Sequence, residues 1–381
     1  MSFLTLQQPG RLVFGAGSLS CFFDDVRSLG KKRLFVLSLA DLRGVLSAGL
    51  QSLESLGISW ELNVDVSSEP SFFDVEHLVQ RARLFGADAV VGVGGGSVMD
   101  SAKFVAAQLM NNQTSMEIVG NGKLNFRSTY LVCVPTTSGS GSEVSPNAIF
   151  LDLADGEKKG CVSPYLVPDA VYVDPELMFS LPPMVTAFTG IDAFTHCLEA
   201  YLNVNHHGMT DFYAIEGMRL IMANLERCCV DGNNVEARMA LALGSYYGGM
   251  CLGPVNTAGV HALAYPLGSK FQVAHGLSNA LMLPHVLKFN LPSCEERLAA
   301  LFLRLGFSTS GSVSADAADL VDRICAWLSV FDIPNRLSAL GVKEIDLEML
   351  AVSAMKVQRL LVNNPRELHF TDALAIYGEA F

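Results

Sequence analysis

Residues 90–103, VVGVGGGSVMDSAK, read as a strand, a glycine turn and the start of a helix. Gly94, Gly95 and Gly96 remove the side chains that would keep an anion away from the backbone. Ser97 suits a helix N-cap, with Asp100 three residues on. The N–H groups exposed at such a helix start suit a pyrophosphate. Taken alone the stretch also reads as an ordinary tight turn, because Ser97 stands where GxGxxG has its third glycine and an earlier strand comes first.

Working outward, strand-like runs at Arg33–Leu39, Ile58–Val64, Ala89–Val93 and Thr129–Val134 alternate with segments of helical apolar spacing at Leu42–Ser55, Asp74–Phe85 and Val98–Leu109. This βαβ series predicts a mostly parallel sheet covered on both faces, with ligands beyond the carboxyl ends of its strands. A second polar loop, Thr136–Ser142, follows the strand ending at Val134, so both loops can face one nucleotide; alone it would be an unremarkable exposed loop. Short strands at Ala148–Leu151 and Val171–Val173 come next. Beyond Leu181–Pro183 the pattern turns helical, with long 3.6-residue periods at Thr210–Ala223, Val235–Gly249, Cys294–Arg304 and Ala315–Val330. The expected organisation is an α/β nucleotide-binding domain with a mostly parallel sheet over residues 1–182 and an all-α domain over 183–381.

The 381 residues are enough for two domains. Hydrophobic residues make up 50% and charged residues only 17%, which excludes a disordered chain and favours a homo-oligomer, dimer or larger. Thirty-eight acids against 26 Lys and Arg give a formal charge of −12, the wrong sign for a phosphate-backbone binder, so no nucleic-acid partner is expected. The nine cysteines are scattered without a CxxC spacing, which points to a reducing compartment. The opening MSFLTLQQPGRLVFG shows no basic segment leading an apolar core, and no run of 18 apolar residues follows, so the expectation is a soluble cytoplasmic protein without a membrane partner.

In GIDAFTHCLEAY, Asp192 and His196 are four residues apart on an apolar-periodic segment and therefore share a helix face. That pair alone also describes a buried histidine near an aspartate. His261 and His275, in GVHALAYPLGSKFQVAH, add discrimination. In one unbroken helix they would lie about 21 Å apart, too far for one ion. Pro266 and Gly268 sit where a break is needed, and Gly276 adjoins the second histidine, so the two rings can converge from neighbouring elements. Three imidazoles and a carboxylate suit Fe(II) or Zn(II), with room for a substrate oxygen. His206 and His207 fall in a polar turn, and His77, His285 and His369 lack partners at ligand spacing.

Assembled in order, RLVFGAGSL from Arg11, GGGSVMDSAK, PTTSGSGSE, SPYLVPDAVYVDP, GIDAFTHCLEAY, the His261–His275 stretch and LPHVLKFN ending at Asn290 make the chain resemble the iron-containing (group III) alcohol dehydrogenases, within the dehydroquinate synthase-like fold. The resemblance implies hydride transfer between nicotinamide C4 of NAD or NADP and a small alcohol or aldehyde whose oxygen meets a divalent metal, Fe(II) or else Zn(II). It carries the metal ligands onto Asp192, His196, His261 and His275. Cofactor contacts fall on Gly95, Gly96 and Ser97, with Asp100 near the nicotinamide end, and on Thr136, Thr137, Ser140, Asn147 and Lys158. Two other readings of the architecture are a lyase or cyclase acting on a phosphorylated sugar and a catalytically inactive nucleotide-binding protein.

Three positions depart from the family pattern. Leu39, after Ser38, stands where NAD-preferring members carry an aspartate, which leaves NADP open, although Asp41 is close. Ser140 replaces a common threonine and keeps the hydroxyl. Tyr265 replaces the second histidine of HALAH; it either takes a catalytic part as a hydrogen-bond donor or packs against substrate or nicotinamide.

Overall fold

The computed structural model describes Phe3–Phe381. The chain forms two compact units, one of Thr5–Ser180 with Asn233–Ala242, the other chiefly of Leu181–Gly232 with Leu243–Phe381. The expected division at 182–183 has no place for Asn233–Ala242 in the first unit. Helical periodicity assigns those residues to a helix but says nothing about that helix's neighbours.

The first unit runs β1 (Arg11–Phe14), α1 (Ser18–Ser28), β2 (Arg33–Leu37), α2 (Arg43–Glu54), β3 (Ser59–Asn63), α3 (Phe72–Phe85), β4 (Ala89–Gly94), α4 (Gly96–Gln108), β5 (Gly120–Asn121), β6 (Tyr130–Pro135), β7 (Asn147–Asp152), β8 (Glu157–Val162) and β9 (Ala170–Val173). Six strands form a parallel sheet in the order β1-β9-β6-β4-β2-β3. Its two faces are built by alternation along each strand. Phe35, Leu37, Val90, Leu131 and Cys133 face a core shared with α3 and α4. Leu34, Val36, Val91, Val93, Val132 and Val134 face the core shared with α1 and α2. Burial on both sides is why these strands read as continuous apolar runs.

From β2 the chain adds β3 on one side and β4 on the other, so the direction of winding reverses between β2 and β4. Ligands of open α/β sheets bind outside the strand ends at such a switch point. A separate three-stranded sheet, β5-β8-β7, contains the β7–β8 hairpin. Strand β8, EKKGCV, escaped the sequence reading because its first half is charged and only half-buried.

The second unit continues with α5 (Pro183–Leu202), α6 (Gly208–Val230), α7 (Val235–Leu252), α8 (Gly259–Phe271), α9 (His275–Arg304), α10 (Val313–Leu328), α11 (Leu347–Ala354), α12 (Gln358–Leu361) and α13 (Phe370–Ala380). Residue 243 onward of α7 belongs to this unit. Helix α5 is buried without interruption from Gly190 to Leu202, so its polar residues need internal partners. The break between His261 and His275 is real but lies further along than expected. Helix α8 passes through Pro266 and Gly268 and stops at Gln272, which takes the left-handed conformation at φ 56°. The Gln272 and Val273 N–H groups close that end on the Gly268 and Leu267 carbonyls. Proline removes a single donor from the helix, and here that loss bends nothing out of helical conformation. Among the described residues no helix is long and apolar enough to cross a membrane.

A candidate metal centre and a two-loop anion cradle

Three helices deliver the four predicted ligands. Asp192 and His196 sit one turn apart on α5, His261 lies in the first turn of α8, and His275 opens α9. One ligand atom from each falls within 4.8 Å of every other, and this is the one such group of three or more among the described residues. Asp192 Oδ1 stands 3.8 Å from His196 Nε2, 3.5 Å from His261 Nε2 and 3.8 Å from His275 Nε2. The His196 and His261 rings stack at 4.7 Å. Gly276 permits this closure: a Cβ there would come within 2.6 Å of the Phe188 carbonyl oxygen on α5, pushing away the helix start that carries His275.

Electrostatics of the cluster favour a positive centre. Burial pushes the Asp192 carboxyl up, but the His196, His275 and His261 rings more than reverse this and hold it well below the usual range. Burial pulls His261 down, while the Glu199 and Asp192 carboxylates raise it to about 9. The same demand appears in the position of Asn279, one turn after His275. Its amide nitrogen lies 2.6 Å from Asp192 Oδ1, 3.1 Å from His261 Nε2 and 3.2 Å from His275 Nε2. An NH2 group has two hydrogens and cannot serve three acceptors fully, so these atoms converge on a point that suits a cation better than an amide. The amide oxygen of Asn279 is buried without a hydrogen-bond partner. The residues therefore fit a first-row divalent ion held by nitrogen and oxygen.

Glu199 is a further member of this cluster, absent from the candidates that the sequence offers. Its Oε1 accepts the Val260 N–H at 2.6 Å, and its Oε2 is 2.5 Å from His261 Nδ1. With Nδ1–H donating to Glu199, the Nε2 lone pair of His261 faces the cluster, as a metal ligand requires. The signal was present, since Asp192, His196 and Glu199 follow i, i+4, i+7 on one helix face. Three of the candidate ligands are enclosed, whereas the side chain of His275 keeps 32% of its exposure and forms the open edge. Tyr265 packs there, its ring 5.9 Å from that of His275 and its hydroxyl oxygen accepting from Arg359 Nη2 at 3.1 Å.

Of the remaining histidines, His207 caps α6 by accepting the Met209 N–H, and His206 lies 3.5 Å from Asp211; His77, His285 and His369 are outside the cluster as well.

In the first unit, the glycine turn and the polar loop meet at the ends of adjacent strands. Gly94 pairs with Pro135, and Thr136 N–H bonds the Gly94 carbonyl at 3.0 Å. A Cβ on Gly96 would sit 2.9 Å from the Ser140 side chain, and one on Gly94 2.7 Å from Val98, so both loop contact and strand–helix packing need these glycines. Ser97 is not the cap. Gly95 takes that position with no side-chain bond, while the Ser97 hydroxyl donates to the Ser68 carbonyl. A helix start left without a side-chain cap suits an incoming phosphate.

Asp100 is tied to the second loop and β7: it accepts from Ser142 Oγ at 2.5 Å and from Ile149 N–H at 2.9 Å. Burial raises its carboxyl, offset in part by Lys103. Lys103, fully buried, binds the Ser145 and Asn147 carbonyls and anchors the chain leaving the loop. Asn147 is buried with its Oδ1 unbonded. Thr137 lines the turn beside Gly95. Lys158 Nζ lies 2.5 Å from Glu69, next to the Ser68 carbonyl that Ser97 engages. Ser38 spends its hydroxyl on the Val93 carbonyl, leaving Leu39 half-exposed at the end of β2.

Residues 9–175 match the family described as iron-containing alcohol dehydrogenase, and residues 186–381 match the C-terminal part of the Fe-containing alcohol dehydrogenase family. The chain is 37% identical over 373 residues to long-chain-alcohol dehydrogenase 1 of Geobacillus thermodenitrificans, covering 96% of this chain and 94% of that one. It is 34% identical to the sulfoacetaldehyde reductase of Bilophila wadsworthia, with 97% of each chain covered. Among solved structures, a 1,3-propanediol oxidoreductase superposes over the full length of both chains, with a TM-score of 0.95 at 30% identity.

Proposed function

The chain belongs to the iron-containing alcohol dehydrogenase family, and from that premise we propose that Asp192, His196, His261 and His275 hold the divalent metal of its alcohol–carbonyl chemistry, while the Gly95–Ser97 turn and the Thr136–Ser140 loop hold NAD(P). The protein is an NAD(P)-dependent oxidoreductase acting on alcohols and aldehydes. The observation that carries the site assignment is the convergence of one carboxylate and three imidazoles on a single point. Imidazole with carboxylate suits iron(II), which the family's name favours, and also zinc.

When bound, the metal supplies Lewis acidity toward the substrate oxygen and the nicotinamide supplies or accepts the hydride. The chain's own residues do the rest. Asp192 contributes the negative charge, Glu199 fixes the His261 tautomer, and the open edge at His275 admits substrate. The bare start of α4 orients the cofactor phosphates, with the hydroxyls of Thr136, Thr137 and Ser140 alongside, and Asp100, Asn147 and Lys158 complete that set. On this reading residues 1–182 are the nucleotide-binding domain and 183–381 the metal-binding, catalytic one. A reducing, cytoplasmic setting is supported by nine cysteines outside any disulfide, and a homo-oligomer by exposed apolar residues such as Leu12 on edge strand β1.

The test is anaerobic oxidation of NADH or NADPH by protein reconstituted with Fe(II) or Zn(II), against a panel of short aldehydes. Stoichiometric consumption of reduced cofactor and aldehyde is expected. Turnover with no pairing of metal and cofactor contradicts the proposal. A phosphorylated-sugar lyase, which the matching relatives do not favour, would consume no net cofactor.

A further inference from the structure

Arg359 on α12 is a cation in an unusual position. Helix α12 packs against α8, and the half-buried guanidinium donates through Nη2 to the Tyr265 hydroxyl at 3.1 Å. Its Nη1 is buried with no hydrogen-bond partner, and among the described residues no acid forms an ion pair with Arg359. A buried donor on a permanent cation without a partner is costly, and a native structure that keeps one calls for an explanation. One turn beyond Tyr265 on the same strip of α8 lies Ser269, whose Oγ is likewise buried and unbonded. Tyr265 in turn touches His275, the one proposed ligand on the open edge. An unbonded guanidinium nitrogen, on the side chain that holds the Tyr265 hydroxyl, and an unbonded hydroxyl one helical turn along α8 thus accompany a tyrosine that touches the exposed member of the cluster.

We propose that Arg359, together with Tyr265 and Ser269, forms a subsite for an oxyanion at the far end of the substrate, so that the preferred substrates are short aldehydes or alcohols ending in a carboxylate or sulfonate; this rests on the dehydrogenase reading above. Arg359 is a donor in every ionisation state, and both hydroxyls can donate. An oxyanion is all acceptor and matches such a set, whereas an alkyl end would leave Nη1 desolvated and unbonded. Arg359 and Tyr265 are then specificity-determining residues, and hydride transfer itself does not depend on them.

The test compares succinic semialdehyde with butanal on the metal-loaded enzyme. The wild type should favour the carboxylate aldehyde in kcat/KM, and Arg359→Met should cut that preference roughly 10- to 100-fold, chiefly through KM, the size of effect expected for a charge-assisted hydrogen bond. Arg359→Lys should restore part of it. In parallel, calorimetry of the wild type with butanoate, which cannot be reduced, should show binding that Arg359→Met loses. Reduction of butanal with no preference for the charged aldehyde, and no change on replacing Arg359, overturns the subsite while leaving the dehydrogenase reading intact. If neither aldehyde is reduced, the calorimetry still decides: butanoate binding that survives Arg359→Met, or is missing in the wild type, overturns the subsite.

Discussion

Asp192→Asn should give a folded protein that no longer retains its metal and has lost essentially all aldehyde reduction. The replacement keeps size and still offers an oxygen to the Asn279 amide, so the packing of α5 is preserved. It removes the only negative charge at the point where three imidazole nitrogens come within 3.8 Å. Three neutral imidazoles alone must then compensate a divalent ion taken out of water, and the loss should exceed the roughly 10- to 100-fold typical of outer-shell changes. Metal content after gel filtration, with circular dichroism as the control for folding, reads the result. Wild-type metal stoichiometry in the variant would mean that the ion sits elsewhere.

Glu199→Gln should weaken metal binding by about 10- to 100-fold while leaving the four proposed ligands untouched. The two carboxylate oxygens of Glu199 accept from two donors, Val260 N–H and His261 Nδ1–H. A glutamine has one oxygen and one NH2. If the oxygen stays with Val260, the NH2 faces Nδ1 and drives the His261 proton to Nε2, where it blocks ligation; if it stays with His261, two N–H groups are opposed and α8 must move. Metal affinity measured by chelator competition distinguishes these outcomes from no effect. An unchanged affinity would show that Glu199 serves packing alone.

The sequence was most readable where one local pattern does all the work. Stretch 90–103 reads as strand, turn and helix because Gly92 and Gly94 are dictated by Ala102 and Val98 within the same stretch, while Gly96 answers to Ser140 in the next loop. The four proposed ligands, which the structure brings together, were legible as candidates from residue type and spacing. The chain's break between His261 and His275 was required by distance, yet its location was misread: proline is the stronger textual signal, while the actual stop is a left-handed glutamine, a conformation that spacing does not announce. Ser97 is not the cap for a similar reason, since the helix begins at Gly96, two residues before Val98, and Ser97 finds Ser68 instead.

What stayed hidden was long-range. Asn279 and Glu199 are common polar residues whose meaning depends on which helix faces them. Arg359 lies 94 positions from Tyr265, so no local motif connects them. The sequence marked Tyr265 as a departure from HALAH; the structure adds that its hydroxyl accepts from a guanidinium.

The central claim is that one divalent ion is held by Asp192, His196, His261 and His275. Anomalous diffraction at the iron edge from crystals of the Fe(II)-loaded, anaerobically prepared protein tests it most directly. A single peak enclosed by the Asp192 carboxylate and the three imidazole Nε2 atoms is the predicted result; a peak at any other place in the chain, or none at full iron loading, would contradict it.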